Sequence, residues 1–167
     1  MNARPTLYLS NWASRRSPGR WGPGRRWTIM AKPNPARGER GEGAVRSLVP
    51  TDYDRAGPMR AFYARQWLEA ALAARGTEDE ARTTALYRAE FERQLQAWGL
   101  EALAPGRLFA NAAPHDWAVH VEDGDTLCCA CSAANAARGL CHRAWAAPYL
   151  VRAGWRVLLD GVEVPGA

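Results

Sequence analysis

The stretch "DTLCCACSAANAARGLCHRAWAAPYLVRAGWRVLLDG" (Asp125–Gly161) decides the fold and holds all four cysteines of the chain. Its first residues, Asp125–Cys131, are apolar and continuous, as in a strand of a sheet covered on both faces. A helix is predicted from about Cys141 to Ala153, because Gly154 ends the helical pattern, and "WRVLLDG" predicts another strand. Strand, helix and strand within about 35 residues form a βαβ unit. We therefore predict a closing βαβ unit over residues 125–160 and a mostly parallel sheet.

Shorter strands are predicted near the start of the chain. The segment "TLYLS" (Thr6–Ser10) is β-branched and aromatic, which favours a buried opening strand. The segments Trp27–Ala31 and Ser47–Pro50 are further candidates. Residues 12–46, which include the first of these two candidates, are rich in glycine, proline and arginine, which indicates a loop. Together with the βαβ unit, these strands predict a single α/β domain over residues 1–167.

The middle of the chain, residues 59–98, has helical periodicity. A first helix is predicted from Met59 and ends at Gly76, and Thr77 with Glu80 predicts a capping box for a second helix that ends at Gly99. The predicted buried stripes are Met59, Phe62, Tyr63, Leu68, Ala71 and Leu72 on the first helix, and Tyr87, Phe91, Leu95 and Trp98 on the second. Both helices are interpreted as structural. The segment from Ala104 to Asp125 has no clear pattern and is left ambiguous.

Composition excludes several classes of protein. The 167 residues are 47% hydrophobic and include eight tryptophans, which excludes a disordered chain. No stretch reaches the roughly 18–20 apolar residues of a membrane span, so no membrane partner is expected. The first residues do not resemble a signal peptide, which predicts a cytoplasmic protein with reduced thiols and makes disulfides the least favoured interpretation of the cysteines.

Positive charge is concentrated at one end of the sequence. Residues 1–46 carry ten basic side chains against Glu39 and Glu42, a net charge of +8, whereas the rest of the chain is net −3. All but one of the ten are arginines, whose planar fork binds phosphate through two hydrogen bonds. Codon bias in a GC-rich genome would explain arginine in place of lysine, but it does not explain the segregation. The segment therefore predicts a phosphate-bearing partner, although a solvated basic loop is the alternative.

Tryptophans alternate with these arginines. Trp12, Trp21 and Trp27 lie among arginines that include Arg25 and Arg26. Such a pattern binds nucleic acid by pairing guanidinium groups with phosphates and stacking indoles on bases. The indoles could equally fold onto the domain. We predict that Arg25 and Arg26 bind the ligand and that the loop containing them covers the binding site.

A candidate site follows from the rule that ligands bind at the carboxyl edge of parallel sheets. Ser10 and Asn11 end the first predicted strand, while Cys141, His142 and Arg143 open the predicted helix. A helix N-terminus attracts anions through its free N–H groups and lowers the pKa of a thiol placed there. We therefore predict Ser10, Asn11, His142 and Arg143 as ligand-binding residues, with Arg143 reaching a phosphate, and Cys141 as a candidate nucleophile.

Other interpretations of the cysteines are weaker. Cys129, Cys131, Cys141 and His142 have the ligand types of a zinc site, but their spacing departs from the usual knuckle, and adjacent helical residues diverge by about 100°. The spacing from Cys131 to Arg138 is one residue too long for a tyrosine-phosphatase-like loop. Cysteines also serve as small buried hydrophobic residues, the favoured interpretation for Cys128. No metal and no cofactor are predicted.

The segment "LCCAC…GLCHRAWAAPYLVRAGWRV" resembles the closing motif of the family called domain of unknown function 488, in which a strand ending in Leu-Cys precedes a helix opened by Cys-His-Arg. "LYLSNW" and "GRRWTIMAKP" are similar to early segments of that family, so the resemblance covers roughly Leu7–Pro33 and Leu127–Val157. It implies a Rossmann-like α/β domain, found in prokaryotes and phages, with a nucleotide- or nucleic-acid-directed function. The longer loop between Cys131 and Cys141 departs from the family pattern.

Three functions are compatible with this sequence. The favoured one is a nucleotide- or nucleic-acid-directed domain, an enzyme on a base or sugar-phosphate, for which Asp116 is the candidate catalytic carboxylate. The alternatives are a non-catalytic nucleic-acid-binding or phage–host interaction module, and a zinc-stabilised structural domain. A carboxylate near the Cys-His-Arg helix start would favour the enzyme, and a flat basic surface would favour the binding module.

Overall fold

The computed structural model describes residues 3–11, 19–24, 26–28, 46–47, 67–106, 108–110, 118–129 and 133–166. Within these ranges, residues 26–28, 46–47, 67–69, 94, 97–98, 108–110, 118–120 and 128–129 are described by their backbone alone. No helix in this part of the chain is long and apolar enough to cross a membrane.

The described elements alternate between strands and helices. The strands are β1 (Thr6–Asn11), β2 (Arg26–Thr28), β3 (Arg46–Ser47), β4 (Leu108–Ala110), β5 (Ala118–His120), β6 (Thr126–Cys129), β7 (Arg156–Leu159) and β8 (Val162–Glu163). The helices are α1 (Trp67–Ala73), α2 (Glu80–Trp98), α3 (Leu100–Leu103), α4 (Ala133–Ala137) and α5 (His142–Arg152). The predicted opening strand, the closing βαβ unit and both middle helices are present.

The main sheet has the order β3–β2–β6–β1–β7–β8. Every neighbouring pair is parallel except β7 and β8, which form an antiparallel hairpin. The chain crosses from β6 through α4 and α5 to β7, on the far side of β1. The prediction of an α/β domain with a mostly parallel sheet is therefore confirmed.

The hydrophobic core lies between the sheet and helices α2 and α5. Leu7 and Leu9 alternate along β1 with Tyr8 and Ser10, and the leucines join the core because successive strand residues point to opposite faces. Their core partners come from β6, β7, α2 and α5: Leu127, Val157, Tyr87, Phe91, Leu95, Trp145 and Leu150. The predicted stripe of α2 is thus confirmed at the three positions whose side chains are described.

A glycine-rich segment, Gly19–Gly24, packs against β1 and β6. The Gly22 N–H donates to Thr126 Oγ1 at 2.8 Å, and the Gly24 N–H donates to the Gly124 carbonyl at 2.9 Å. A Cβ at Gly22 would lie 2.5 Å from Tyr8 Cδ2 and would clash with the Gly124 carbonyl. Glycine is needed here because the backbone itself forms the contact.

Several details differ from the sequence predictions or add to them. Helix α2 begins at Glu80, not after Thr77, because the Thr77 N–H already donates to the Ala74 carbonyl and the Glu80 carboxylate accepts the Gly76 N–H. Leu72 is 39% exposed and not part of a buried stripe. The loop predicted before Cys141 contains helix α4, and the ambiguous segment forms a separate antiparallel pair, β4 and β5. Residues 59–66 of the predicted first helix lie outside the described ranges.

Candidate functional site

The connections that leave β1 and β6 run in opposite directions, and each passes over the other strand. From β1 the chain continues to β2, beyond β6, while from β6 it continues to β7, beyond β1. Open α/β sheets bind ligands outside the carboxyl ends of their strands. Asn11 and Cys129 are register partners at this point. We call the ends of β1 and β7 (Ser10, Asn11 and Asp160) together with the start of α5 (Cys141–Arg143) the carboxyl edge.

Cys141 is the N-cap residue of α5. Its backbone is extended, with φ −147° and ψ 103°, and its carbonyl accepts the Trp145 N–H at 3.1 Å, the first hydrogen bond of the helix. The residue is buried, with only 5% of its surface exposed. The predicted position at a helix start is therefore confirmed, but the low exposure limits the access of a reagent or substrate to the thiol.

His142 belongs to the helix layer of the core. Its Nε2 hydrogen-bonds with the hydroxyl of Tyr87, and its ring contacts those of Tyr87, Phe91 and Trp145 at centroid distances of 5.2–5.4 Å. Aromatic edge contacts of this kind add to the stability of a packed core. The Nε2 atom thus connects α5 to α2, and it is not turned to a ligand at the sheet edge.

Arg143 forms an ion pair with Asp160. Its Nε and Nη2 atoms donate to Asp160 Oδ2 at 3.2 and 2.9 Å. The arginine side chain is 5% exposed and that of Asp160 30% exposed. The guanidinium that the sequence predicts as a phosphate ligand therefore contacts a carboxylate of the same chain, which neutralises its charge.

Asp160 occupies the hairpin between β7 and β8. Asp160 and Gly161 have φ values of 51° and 85°, as in a two-residue type I′ turn, in which Asp-Gly is a preferred pair. The Asp160 N–H donates to the Leu9 carbonyl at 2.9 Å, which brings this residue beside β1. The second carboxylate oxygen, Oδ1, is buried and has no hydrogen-bond partner among the described residues. One turn residue thus joins β1, β7 and α5 at the carboxyl edge.

Ser10 and Asn11 lie at the carboxyl edge as predicted. Ser10 is fully buried, and within the described ranges its Oγ has no hydrogen-bond partner. The Asn11 carbonyl accepts the indole N–H of Trp21 at 3.3 Å, so this tryptophan of the basic loop folds onto the end of β1. The Gly19 carbonyl also lies close to Gly161. The described part of the loop therefore covers this edge.

The remaining predicted site residues lie beyond what the structure describes. Asp116, Arg25 and Cys131 fall outside the described ranges, and Arg26 is described only by its backbone, which pairs with Thr126. Among the described residues, no group of three or more His, Cys, Asp or Glu is placed to hold a metal ion. Because the side chains of Cys129 and Cys131 are not described, the zinc hypothesis stays an alternative.

Sequence reasoning missed Asp160. The signal was present in "LLDG", where an acidic residue directly follows a strand of the parallel sheet. From the sequence pattern, these residues are interpreted only as the end of the strand. Asp160 lies at the carboxyl end of a parallel strand, and the same position is the reason that Ser10 and Asn11 are predicted as site residues.

The carboxyl edge combines a carboxylate, an arginine, a thiol and two short polar side chains. Such a set can orient a polar ligand and activate water or a hydroxyl group. Comparisons with models of protein families, with curated proteins and with solved structures gave no match. The resemblance to the domain of unknown function 488 family therefore stays a prediction.

Proposed function

We propose that this protein binds a nucleotide, free or within a nucleic acid, at the carboxyl edge and acts on its base or sugar-phosphate. The observation that carries the proposal is Asp160, a carboxylate beside the start of α5 and bonded to Arg143. A carboxylate at this place is what distinguishes an enzyme from a flat binding surface. Asp160 therefore joins Asp116 and Cys141 as a candidate catalytic residue.

The chemistry of a carboxylate suits hydrolysis or transfer at a sugar or phosphate. It accepts the proton of an attacking water or forms a covalent intermediate itself. The carboxyl ends of parallel strands are where open α/β sheets bind their ligands, and Asp160 lies there beside the end of β1. The net charge of +8 in residues 1–46 would attract the phosphates of a nucleotide or nucleic acid. The family resemblance and a cytoplasmic setting belong to the same proposal.

The test compares two carboxylates of the same hairpin. Asp160→Asn keeps the turn, because Asn-Gly suits a type I′ turn as well as Asp-Gly. Glu163→Gln on β8 is the matched control, since Glu163 is exposed and paired with Arg156 at 2.9 Å. Nucleotides and single-stranded oligonucleotides are incubated with each protein, and products are separated by chromatography. We expect turnover by the wild type and by Glu163→Gln, and its loss in Asp160→Asn.

Two outcomes would contradict the enzyme. Equal turnover in Asp160→Asn and the wild type would remove Asp160 from the reaction. Binding without turnover would favour the second candidate, a non-catalytic nucleic-acid-binding module. The ion pair with Arg143 and the type I′ turn support that alternative, because they explain the presence of Asp160 by a structural role without catalysis.

A further inference from the structure

We propose that the carboxyl edge recognises the nucleoside part of its ligand, through hydroxyl or amino groups that donate hydrogen bonds, and not its phosphate. This inference rests on the proposed function and names the chemical group that the same site would bind. It changes the role predicted for Arg143, from phosphate ligand to support for Asp160.

The first argument is charge. Arg143 is buried and already donates two hydrogen bonds to Asp160 Oδ2. A phosphate placed against this arginine would have to displace a carboxylate of the same chain or lie beside it, where like charges repel. A neutral ligand neither has to displace the Asp160 carboxylate nor is repelled by its charge.

The second argument is that two buried oxygens at the carboxyl edge, Ser10 Oγ and Asp160 Oδ1, have no hydrogen-bond partner in the part of the chain that the structure describes. Buried polar atoms in folded proteins are almost always hydrogen-bonded, because a buried polar atom without a partner destabilises the fold. An ionised carboxylate oxygen only accepts, so its partner must be a donor. Ribose hydroxyls and the amino groups of bases are donors, whereas a phosphate at neutral pH offers mainly acceptors.

The third argument is position. The hydrogen bond from the Asp160 N–H to the Leu9 carbonyl holds Asp160 next to the residue that precedes Ser10. Ser10 near the end of β1 and Asp160 directly after β7 therefore lie at the carboxyl ends of two neighbouring parallel strands, where open α/β sheets bind ligands. One group of a ligand at this edge can donate a hydrogen bond to Asp160 Oδ1, while another part of the same ligand contacts Ser10 Oγ.

The experiment measures binding of the four ribonucleosides, their 5′-monophosphates and inorganic phosphate by titration calorimetry of the full chain at moderate salt. We expect at least one nucleoside to bind within about tenfold of its monophosphate, and inorganic phosphate not to compete. Asp160→Asn should weaken nucleoside and monophosphate equally, by about ten- to a hundredfold, the range for a hydrogen bond to a charged group.

Ser10→Ala separates ligand binding from folding. It removes a buried hydroxyl that has no described partner, so the free protein should keep its melting temperature or gain stability. We expect the same variant to weaken nucleoside binding about fivefold, a typical effect for one neutral hydrogen bond. Glu163→Gln is again the matched control and should bind as the wild type does.

The outcomes distinguish this inference from the proposed function. If monophosphates and inorganic phosphate bind but nucleosides do not, nucleoside recognition is overturned and nucleotide binding stands. If no nucleoside, nucleotide or oligonucleotide binds, both fail. If nucleosides bind equally to wild type, Asp160→Asn and Ser10→Ala, the ligand lies elsewhere and the inference is wrong.

Discussion

Arg143 and Asp160 lie 17 residues apart in sequence and meet because α5 crosses back over the sheet. The sequence alone predicts that Arg143→Ala weakens phosphate binding without unfolding the protein. The ion pair adds a cost in stability, because removal of the arginine leaves the Asp160 carboxylate without its cation. A fully buried pair loses about 3–5 kcal/mol on losing one partner. Since Asp160 is 30% exposed, we expect a smaller loss of about 1–3 kcal/mol.

A double-mutant cycle measures this pair. Arg143→Met keeps the aliphatic stem of the side chain and Asp160→Asn keeps the turn, and urea unfolding gives the free energy of each variant. We expect the double variant to lose less stability than the two single variants together. Arg156→Met, at an exposed ion pair, is the control and should change stability by less than about 1 kcal/mol. Additive effects would show that the pair contributes nothing.

Tyr87 tests the role of His142 in the core. Tyr87→Phe removes only the hydroxyl that bonds with His142 Nε2, in a fully buried place. We expect a loss of about 1–2 kcal/mol in the free energy of unfolding, because a buried nitrogen loses its partner. Tyr149→Phe is the matched control, since its hydroxyl accepts a long bond of 3.4 Å from Gln96 at the surface. Equal melting temperatures for the two variants would contradict this role.

At the scale of elements, an exposed ion pair ties α2 to the loop after α4. Arg138 Nη1 donates to both carboxylate oxygens of Glu80, at 2.8 and 2.7 Å, and the Gly76 N–H donates to Oε2. The Arg138 guanidinium, and next the Gly76 N–H, hold the pKa of Glu80 below its ordinary value of 4.5. A carboxyl whose pKa is lower in the folded state contributes stability above the unfolded pKa and loses it as the pH falls through the folded pKa.

Glu80→Gln should therefore lower the urea midpoint at pH 7, and the difference from wild type should shrink as the pH falls below 4.5. Unfolding curves of both proteins at several pH values between neutral and acid check the sign. Glu78→Gln, a neighbouring exposed position, serves as the control for removal of one surface charge. A difference that grows towards acid pH would contradict the assignment to Glu80.

Elements with a strong local pattern were predictable from the sequence. The strand around Leu7 and Leu9, the stripe of Tyr87 and Phe91, and the helix that opens after Cys141 each follow from periodicity or a stop signal. The predicted start of α2 was wrong because the Thr77 N–H is already bonded to the Ala74 carbonyl and cannot take part in a capping box. Hydrophobic periodicity carries no information about this hydrogen bond. The pair of short strands β4 and β5 was too brief to give a period.

The candidate site was predictable in position but not in partners. Strand ends and a helix start identified Ser10, Asn11 and Cys141 at one edge. The partners of His142 and Arg143 were not predictable, since each comes from a distant part of the chain: Tyr87 from α2 and Asp160 from the final hairpin. Such long-range side-chain bonds depend on how α5 is rotated on the sheet, and local sequence carries little information about that rotation.

The whole molecule joins a strongly basic N-terminal part, residues 1–46 at net +8, to a remainder at net −3. If the proposed nucleic-acid partner is correct, the two parts have separate roles. The basic part attracts phosphates over a distance of about one Debye length, 8–10 Å at ordinary salt. The carboxyl edge then selects the bound group through short hydrogen bonds. Affinity and selectivity should therefore respond to different substitutions.

The last prediction concerns the salt dependence of this attraction. Each phosphate neutralised on a single strand contributes a slope of about −0.7 to the plot of log affinity against log salt. Replacing Arg15, Arg16, Arg25 and Arg26 by Ala should therefore flatten the slope by up to about 3. The control replaces Arg82, Arg88, Arg93 and Arg156, which removes the same charge from exposed ion pairs elsewhere. Fluorescence anisotropy of a labelled oligonucleotide at several salt concentrations gives both slopes. Because long-range attraction depends on net charge while phosphate contact depends on position, equal flattening in both variants would mean that residues 1–46 make no specific phosphate contacts.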